Sequence, residues 1–325
     1  MGRSAGANGV PATSTWGRSI AATAAASWTR RGARIRRTAP AAAVTPAASE
    51  AEAEADAGGA GDSLTTLRFA VEYDGTNFSG FQWQPSVRTV AGVLEAALQG
   101  LLREPVRVAG AGRTDAGVHA TGQVVSFSTR VRFPFERLAR ALDSLLPGDV
   151  TARECTIVGN DFSARFSARE RTYVYAILNR REPSALLRRR AYHVWTPLDV
   201  EAMIRAAARF VGEHDFRAFC AAPPRCGVTL RTVRRLAVRR HDDAVRIEIA
   251  ADGFLHRMVR AIVGTLVECG RGRCDPATID DRLCVQPPAR KERVAPAHGL
   301  YLASVRYDDG YDSFLEPPVF SSLVP

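Results

Sequence analysis

The sequence predicts an α+β fold of two related lobes, each a β-α-β-β-α-β unit built on an antiparallel sheet. Three observations carry this. Alternating apolar residues mark short strands, apolar residues three and four apart mark helices, and both halves of the chain present these patterns in the same order.

In the first half, "TTLRFAVEYDG" alternates Leu67, Phe69, Val71 and Tyr73 and is closed by Asp74-Gly75. Val90, Val93, Leu94, Ala97, Leu98 and Leu101 then recur at helical spacing. "PVRVAGA" and "GQVVSFST" read as strands. Leu138, Leu142, Leu145 and Leu146 predict a helix stopped by Pro147-Gly148, and "VTARECTIV" is a fourth strand. The second half repeats the order. "RTYVYAIL" is a strand with Tyr173, Tyr175 and Ile177 on one face, and Val200, Met203, Ile204, Ala207, Ala208 and Val211 form a helical stripe. "LRTVRRLAV" and "AVRIEIA" pair around a turn at His241-Asp242-Asp243. A helix is expected from Phe254 to Val267, and "GLYLASVRYDD" closes the unit as a strand. RNA-recognition modules share this topology, which raises RNA as a partner by fold analogy only.

The chain of 325 residues carries a net charge of +10, almost all of it from arginine, with Lys291 the sole lysine. Such a field favours phosphate-bearing partners, although a GC-rich coding sequence produces the same bias. Cys155, Cys220, Cys226, Cys269, Cys274 and Cys284 form no C-x-x-C pair and read as reduced thiols. No apolar run reaches the ~18 residues of a membrane helix. Residues 1–64 are rich in Ala, Ser, Thr, Gly and Arg, with no acid before Glu50, and are expected to be a disordered extension. Two explanations stand: an organelle transit peptide, or an extension without function. The first places the protein in a mitochondrion or plastid, the second in the cytoplasm.

One feature breaks the symmetry of the halves. The middle strands of the second half are joined by a short turn, whereas "GAGRTDAGVHATG" links those of the first. Hairpins need two to five linking residues, and a longer loop usually carries function, so one active site per chain is expected. Asp115 is the only carboxylate of this loop, with Arg113 two residues before it. A carboxylate beside a guanidinium can attack or take a proton, although a merely stabilising Asp–Arg pair has the same spacing. Asp115 and His119 together are a weak metal pair, without further ligands nearby. No metal and no cofactor are expected.

"AGRTDAGVHATGQVVSF" closely resembles the signature of the tRNA pseudouridine synthases of the TruA type. "VEYDGTNFSGFQWQP", "DFSARFSARERTYVYAI", "GEHDFRAF", "DGFLHRMVRAIVGTLVECGRG" and "AHGLYLASVRY" are similar to further blocks of that family, in order, over about residues 66 to 310. The resemblance implies a pseudouridine synthase fold of two lobes around a central cleft, with lobes at 65–167 and 168–310 and a tail at 311–325. It implies isomerisation of uridine to pseudouridine at positions 38 to 40 of the tRNA anticodon stem-loop, and a homodimer. Asp115 aligns with the catalytic aspartate, the nucleophile, and Tyr173 with the tyrosine that packs on the target base. Arg260 aligns with the basic residue paired to the aspartate, Arg113 with an arginine that holds the flipped-out nucleotide, and Leu255 with an apolar position of the pocket.

The chemistry fits these residue types. Uracil must leave C1′, rotate and return through C5. The carboxylate serves as nucleophile at C1′, as base at C2′, or as an adduct-former at C6, and the sequence does not choose among the three. Extracting a stacked base costs a few kcal/mol, which phosphate contacts must offset. Candidates are Arg165, Arg169, Arg171, Arg188, Arg189, Arg190, Arg231, Arg234, Arg235, Arg239 and Arg240. The segment "RCDPATIDDRLCVQPPARKERVAPA" is expected to be a helix and loop near the site. Two other readings compete: an RNA-binding protein without turnover, and a metal-dependent nuclease using Asp115 and His119.

Overall fold

Strand β1 (Thr65–Tyr73) begins the fold of this computed structural model, which describes residues 63–222, 227–284 and 293–321. All but Ser63 and Leu64 of the extension expected over 1–64 lie outside the described residues, as does Cys226. The other five cysteines are free thiols. No described helix is long and apolar enough to cross a membrane.

The residues expected on one face of β1, Leu67, Phe69, Val71 and Tyr73, are buried, and so is Ala70 on the other, so the strand is covered on both faces. Helix α1 (Val90–Leu102) starts where the Thr89 hydroxyl accepts from the Gly92 N–H at 3.2 Å. Strand β2 (Ala109–Gly110) is only a remnant of the run expected there, and β3 (His119–Thr129) starts three residues earlier than expected. Helix α2 (Leu138–Asp143) stops short of Leu145, which is exposed, and β4 (Val150–Val158) follows. The second half contributes β5 (Ala168–Leu178), short β6 (Tyr192–His193), α3 (Val200–Ala208), β7 (Gly212–Asp215), β8 (Leu230–His241) and β9 (Ala244–Ala251). Helices α4 (Met258–Gly270) and α5 (Thr278–Cys284), strand β10 (Leu300–Tyr307) and the short α6 (Pro318–Ser321) complete it. The β8–β9 hairpin turns at Asp242, whose φ of 49° is a left-handed value that aspartate tolerates.

The α+β class with antiparallel pairing holds, and the sheets expected of the two lobes are continuous with one another. The strands form one sheet in the order β4-β1-β3-β10-β5-β9-β8-β7, with β2 added to β3 and β6 to β5. Within the first half the order is β4-β1-β3-β2, and within the second β10-β5-β9-β8. The halves meet where β10 pairs parallel to β3, through Tyr301 opposite His119 and Leu302 opposite Ala120. A free strand edge is a template for pairing, and this seam satisfies two at once. It also explains the early start of β3, since His119 and Ala120 gain a partner strand that local sequence does not announce.

One edge of β3 is thus shared. At Val125 and Ser126 it pairs with β2, and at His119 and Ala120 with β10. Residues 111–118 emerge in the fork between them. The segment beyond β10 returns over the sheet rather than trailing away. The Ser313 hydroxyl donates to the Gly122 carbonyl at 2.6 Å, and Phe320 is buried beside Val174, Ala176 and Tyr301.

Helix α4 is the most buried helix of the second half, with Met258, Val259, Ile262, Val263 and Leu266 in the core. Residues 293–295 pass so close to it that a Cβ on Gly264 would lie 1.7 Å from the Arg293 carbonyl oxygen. The segment is tied to the first turn of α4 by the Ala295 N–H donating to the Arg260 carbonyl at 2.9 Å. Gly264→Ala is therefore expected to destabilise the protein by about 1–3 kcal/mol in urea unfolding. Gly100→Ala, in α1 with open space around it, should be neutral or stabilising by the same measurement.

Candidate active site

Residues 111–118 owe their shape to buried polar groups on the strands beneath them. The Gln123 side chain, fully buried on β3, accepts from the Gly112 N–H at 3.2 Å and donates to the Gly112 carbonyl at 2.7 Å. Tyr73, at the end of β1, shares a 2.7 Å hydrogen bond with the Thr114 hydroxyl, while the Phe81 N–H donates to the Thr114 carbonyl at 3.1 Å. The turn closes with the Val118 N–H on the Asp115 carbonyl, and Gly117 sits at a φ of 78°, where a side chain would be strained.

Asp115 is held by this scaffold at the wall of a cleft of about 480 Å³. Its Oδ2 accepts from Arg260 Nη1 at 2.8 Å, and its Oδ1 lies 3.5 Å from His256 Nε2. Arg260 stands in the first turn of α4, with its Nε donating to the Ala295 carbonyl at 2.8 Å, so the guanidinium is fixed at both ends. The pair spans 145 positions in sequence and joins the two halves. The side chains are 22 % and 15 % exposed, partly withdrawn from water without being sealed from it.

Tyr173 on β5 is buried, packed edge-on against Phe254 with ring centroids 5.1 Å apart, and lines the same cleft. Burial pushes its phenol well above the ordinary value. Leu255 is buried in the cleft wall. Arg113 also lines the cleft and is exposed, but Asp115 pairs with Arg260 rather than with this nearer arginine. The five residues singled out from the sequence therefore surround one cavity.

Several arginines expected on phosphates are engaged elsewhere. Arg171 is bound to the backbone: it donates to the carbonyls of Ala111 at 3.1 Å, Ala168 at 3.2 Å and Asp252 at 2.8 Å, and to that of Arg165. Burial lowers the pKa of this guanidinium from its ordinary value, and its contacts tie the loop that carries Asp115 to the second half. Arg190 pairs with Asp74 at 2.8 Å, Arg234 with Glu170 at 3.2 Å, and Arg235 with Glu248. Arg169 pairs with Asp308 on the surface, and Arg240 donates to the Asn179 side chain. Of the candidates, Arg165 and Arg231 line the cleft with Arg171.

His119 is not positioned with Asp115 as a ligand pair. Its ring is buried and stacked on Tyr301 at 4.8 Å; Nδ1 accepts from the Gly75 N–H at 3.1 Å, and Nε2 contacts the Arg189 and His298 carbonyls at 2.9 and 3.2 Å. Burial lowers its pKa. Among the described residues no group of three or more His, Cys, Asp or Glu is placed to share a metal ion.

Sequence reasoning missed His256, Phe254 and Arg257 in the cleft wall. The reason is a boundary. The helix expected from Phe254 begins only at Met258, behind Arg257 in the left-handed region at a φ of 62°. Phe254 to Arg257 therefore form a bend facing the loop. The signal was Gly253 after a run of strand residues, which marks a break before the helix. Of the segment expected beside the site, residues 273–284, which include α5, and 293–297 are described, and 285–292 lie outside the described residues.

A cleft between halves of one sheet, walled by a carboxylate, a paired guanidinium and a tyrosine and rimmed with arginine, suits an enzyme acting on a base of a polyanion. Comparison with known proteins identifies it more closely. The family model described as tRNA pseudouridine synthase matches residues 69–167 and 206–308, more than half of the chain. The tRNA pseudouridine synthase A of Acetivibrio thermocellus is 44 % identical over 244 residues, covering 75 % of this chain and all of the relative. That of Moorella thermoacetica is 46 % identical over 246 residues, again 75 % and 100 %. That of Halalkalibacterium halodurans is 43 % identical over 238 residues, 73 % of this chain and 90 % of the relative. A crystal structure of a Cbf5-Nop10-Gar1 complex aligns at a TM-score of 0.29 and 13 % identity, over 62 % of this chain and 45 % of that one, too slight a likeness to bear on the fold. The chain belongs to the tRNA pseudouridine synthase family, of the TruA type, and is an isomerase.

Burial also raises the Tyr73 phenol, to about 12, against an ordinary value of 10.0, with the Thr114 hydrogen bond opposing the shift. Because the folded value is the higher one, this contribution to stability is complete below pH 10.0 and is lost as pH rises toward about 12. Urea unfolding at pH ~8 and ~11 should show a steeper alkaline loss for wild type than for Tyr73→Phe, which lacks the ionisable group. At pH ~8 the variant should be weaker by about 1 kcal/mol, the value of the Thr114 bond.

Proposed function

We propose that this protein converts uridine to pseudouridine at positions 38 to 40 of the tRNA anticodon stem-loop, with Asp115 as the catalytic residue. The observation that carries this reading is the 2.8 Å contact of Arg260 with Asp115 Oδ2 at the cleft wall, which leaves Oδ1, among the described residues, with only the longer His256 contact. Oδ1 is then the oxygen that meets the nucleotide. As nucleophile it attacks C1′, the N1–C1′ bond breaks, and uracil rotates within the cleft. C5 then bonds to C1′ as the carboxylate leaves, and the C5 proton is lost while N1 gains one. Nothing is added or removed overall, so the chemistry calls for no cofactor.

In this reading Tyr173 packs against the target base, Leu255 lines its apolar side, and Arg113, exposed and at the cleft edge, holds the extruded nucleotide. Arg260 keeps the carboxylate oriented throughout. We read residues 65–167 and 168–310 as the two lobes and 311–325 as a tail. The chain acts as a homodimer that carries its tRNA across both subunits, in the cytoplasm.

Incubation with unmodified tRNA in EDTA, followed by carbodiimide treatment and primer extension, should give stops at positions 38 to 40. Asp115→Asn should reduce the rate by roughly 10³-fold or more, about 4 kcal/mol of barrier, with tRNA binding nearly unchanged. Product formed by the variant at the wild-type rate, or stops confined to other positions, would overturn the assignment.

A further inference from the structure

Phe166 has no reason in the fold to be where it is. It is 79 % exposed, on a turn between β4 and β5, and it lines the cleft that holds Asp115. The turn is not loose. The Ala164 N–H donates to the Ser126 hydroxyl at 3.0 Å, the Tyr307 hydroxyl donates to the Ala164 carbonyl at 2.8 Å, and Ala164 is fully buried. The Ser167 N–H donates to the Ser163 carbonyl at 2.9 Å, and Arg171 binds the Arg165 carbonyl. A rigid turn thus presents a phenyl ring to solvent at the mouth of the site, with the Arg165 guanidinium 5.2 Å from its centroid.

The surroundings say what covers it. Arg113, Arg165, Arg231 and Arg257 line the same cleft, and Asp115, itself paired, is the only carboxylate among the described residues that line it. A protein partner burying an apolar ring would meet an unbalanced positive field. A nucleic acid brings both a π-face for the ring and phosphates for the arginines. Leu186 is more exposed, at 89 %, but is not part of the cleft wall and has no such setting.

We propose that Phe166, with Arg165 beside it, is a stacking platform for an unpaired base next to the uridine extruded into the cleft. This rests on the RNA substrate proposed above and extends it to a neighbouring nucleotide. The ring holds the strand open at the point where extraction of a base breaks stacking, replacing a lost base–base contact with a base–phenyl one.

The test uses the full-length protein and an unmodified tRNA transcript. Equilibrium binding, KM and kcat are measured for wild type, Phe166→Ala, Phe166→Leu and Phe166→Trp, with Leu186→Ala as control. Loss of the ring should weaken tRNA binding and raise KM by about 5- to 150-fold, with a smaller effect on kcat. Tryptophan should restore binding to within about twofold, leucine should behave like alanine, and the control should match wild type. Unchanged binding in Phe166→Ala would overturn the proposal, as would full rescue by leucine, which has bulk but no π-face. A change of oligomeric state in Phe166→Ala with unchanged RNA affinity would also overturn it, assigning the ring to a protein interface. Failure of wild type to form pseudouridine would count against the reaction proposed above, while the binding series would still decide the role of Phe166.

Discussion

The contact between Arg260 and Asp115 is the constraint on which the rest of the site depends. It links the first turn of α4 to the loop in the fork of β3, so neither half of the chain makes the site alone. A half-buried ion pair is a poor source of net stability, because desolvation offsets much of its Coulombic gain. Its value lies in direction. One carboxylate oxygen is committed to the guanidinium and the other is left toward the cleft, and the Ala295 carbonyl keeps the guanidinium from following the carboxylate into solvent.

Keeping that geometry requires a stiff loop, and the stiffness comes from polar groups that are buried and satisfied. Gln123 pairs with both backbone groups of Gly112, Tyr73 holds Thr114, and Arg171 reaches carbonyls in both halves of the chain. Such networks fix one conformation when every member is paired. The continuous sheet does the same at larger scale. The parallel seam of β3 and β10 sets the two halves in register beside the loop, and Tyr173 on β5 is carried to the cleft because β5 is the next strand over from β10.

Much of this was legible in the residues. The apolar strand patterns of β1, β5, β9 and β10 and the helical stripes of α1, α3 and α4 marked the elements, although β1, β5 and β10 are buried on both faces where alternation announced only one. Asp115 stood out because it is the lone carboxylate of a loop too long for a hairpin. Its pairing with Arg260 came from family resemblance, since no local signal connects residues 145 positions apart. The merger of the halves into one sheet was not legible, because parallel pairing at His119 and Ala120 depends on a strand from the far end of the chain. Arg171 read as a phosphate ligand because charge is visible in a sequence and burial of charge is not. His119 read as a weak ligand for the same reason: its partners, the Asp74 carboxylate, the Gly75 N–H and two distant carbonyls, come together only after folding. His256 was hidden by a helix boundary set four residues too early, the usual place for local patterning to fail.

A double-mutant cycle on the single-turnover rate, with Asp115→Asn, Arg260→Met and the double variant on one tRNA, tests the central claim most directly. If the guanidinium acts by orienting the carboxylate, its removal should be costly in the native background and nearly without further cost once Asp115 is gone. Additive losses in the double variant would mean that the two side chains act independently, and the account of the site built on their contact would be contradicted.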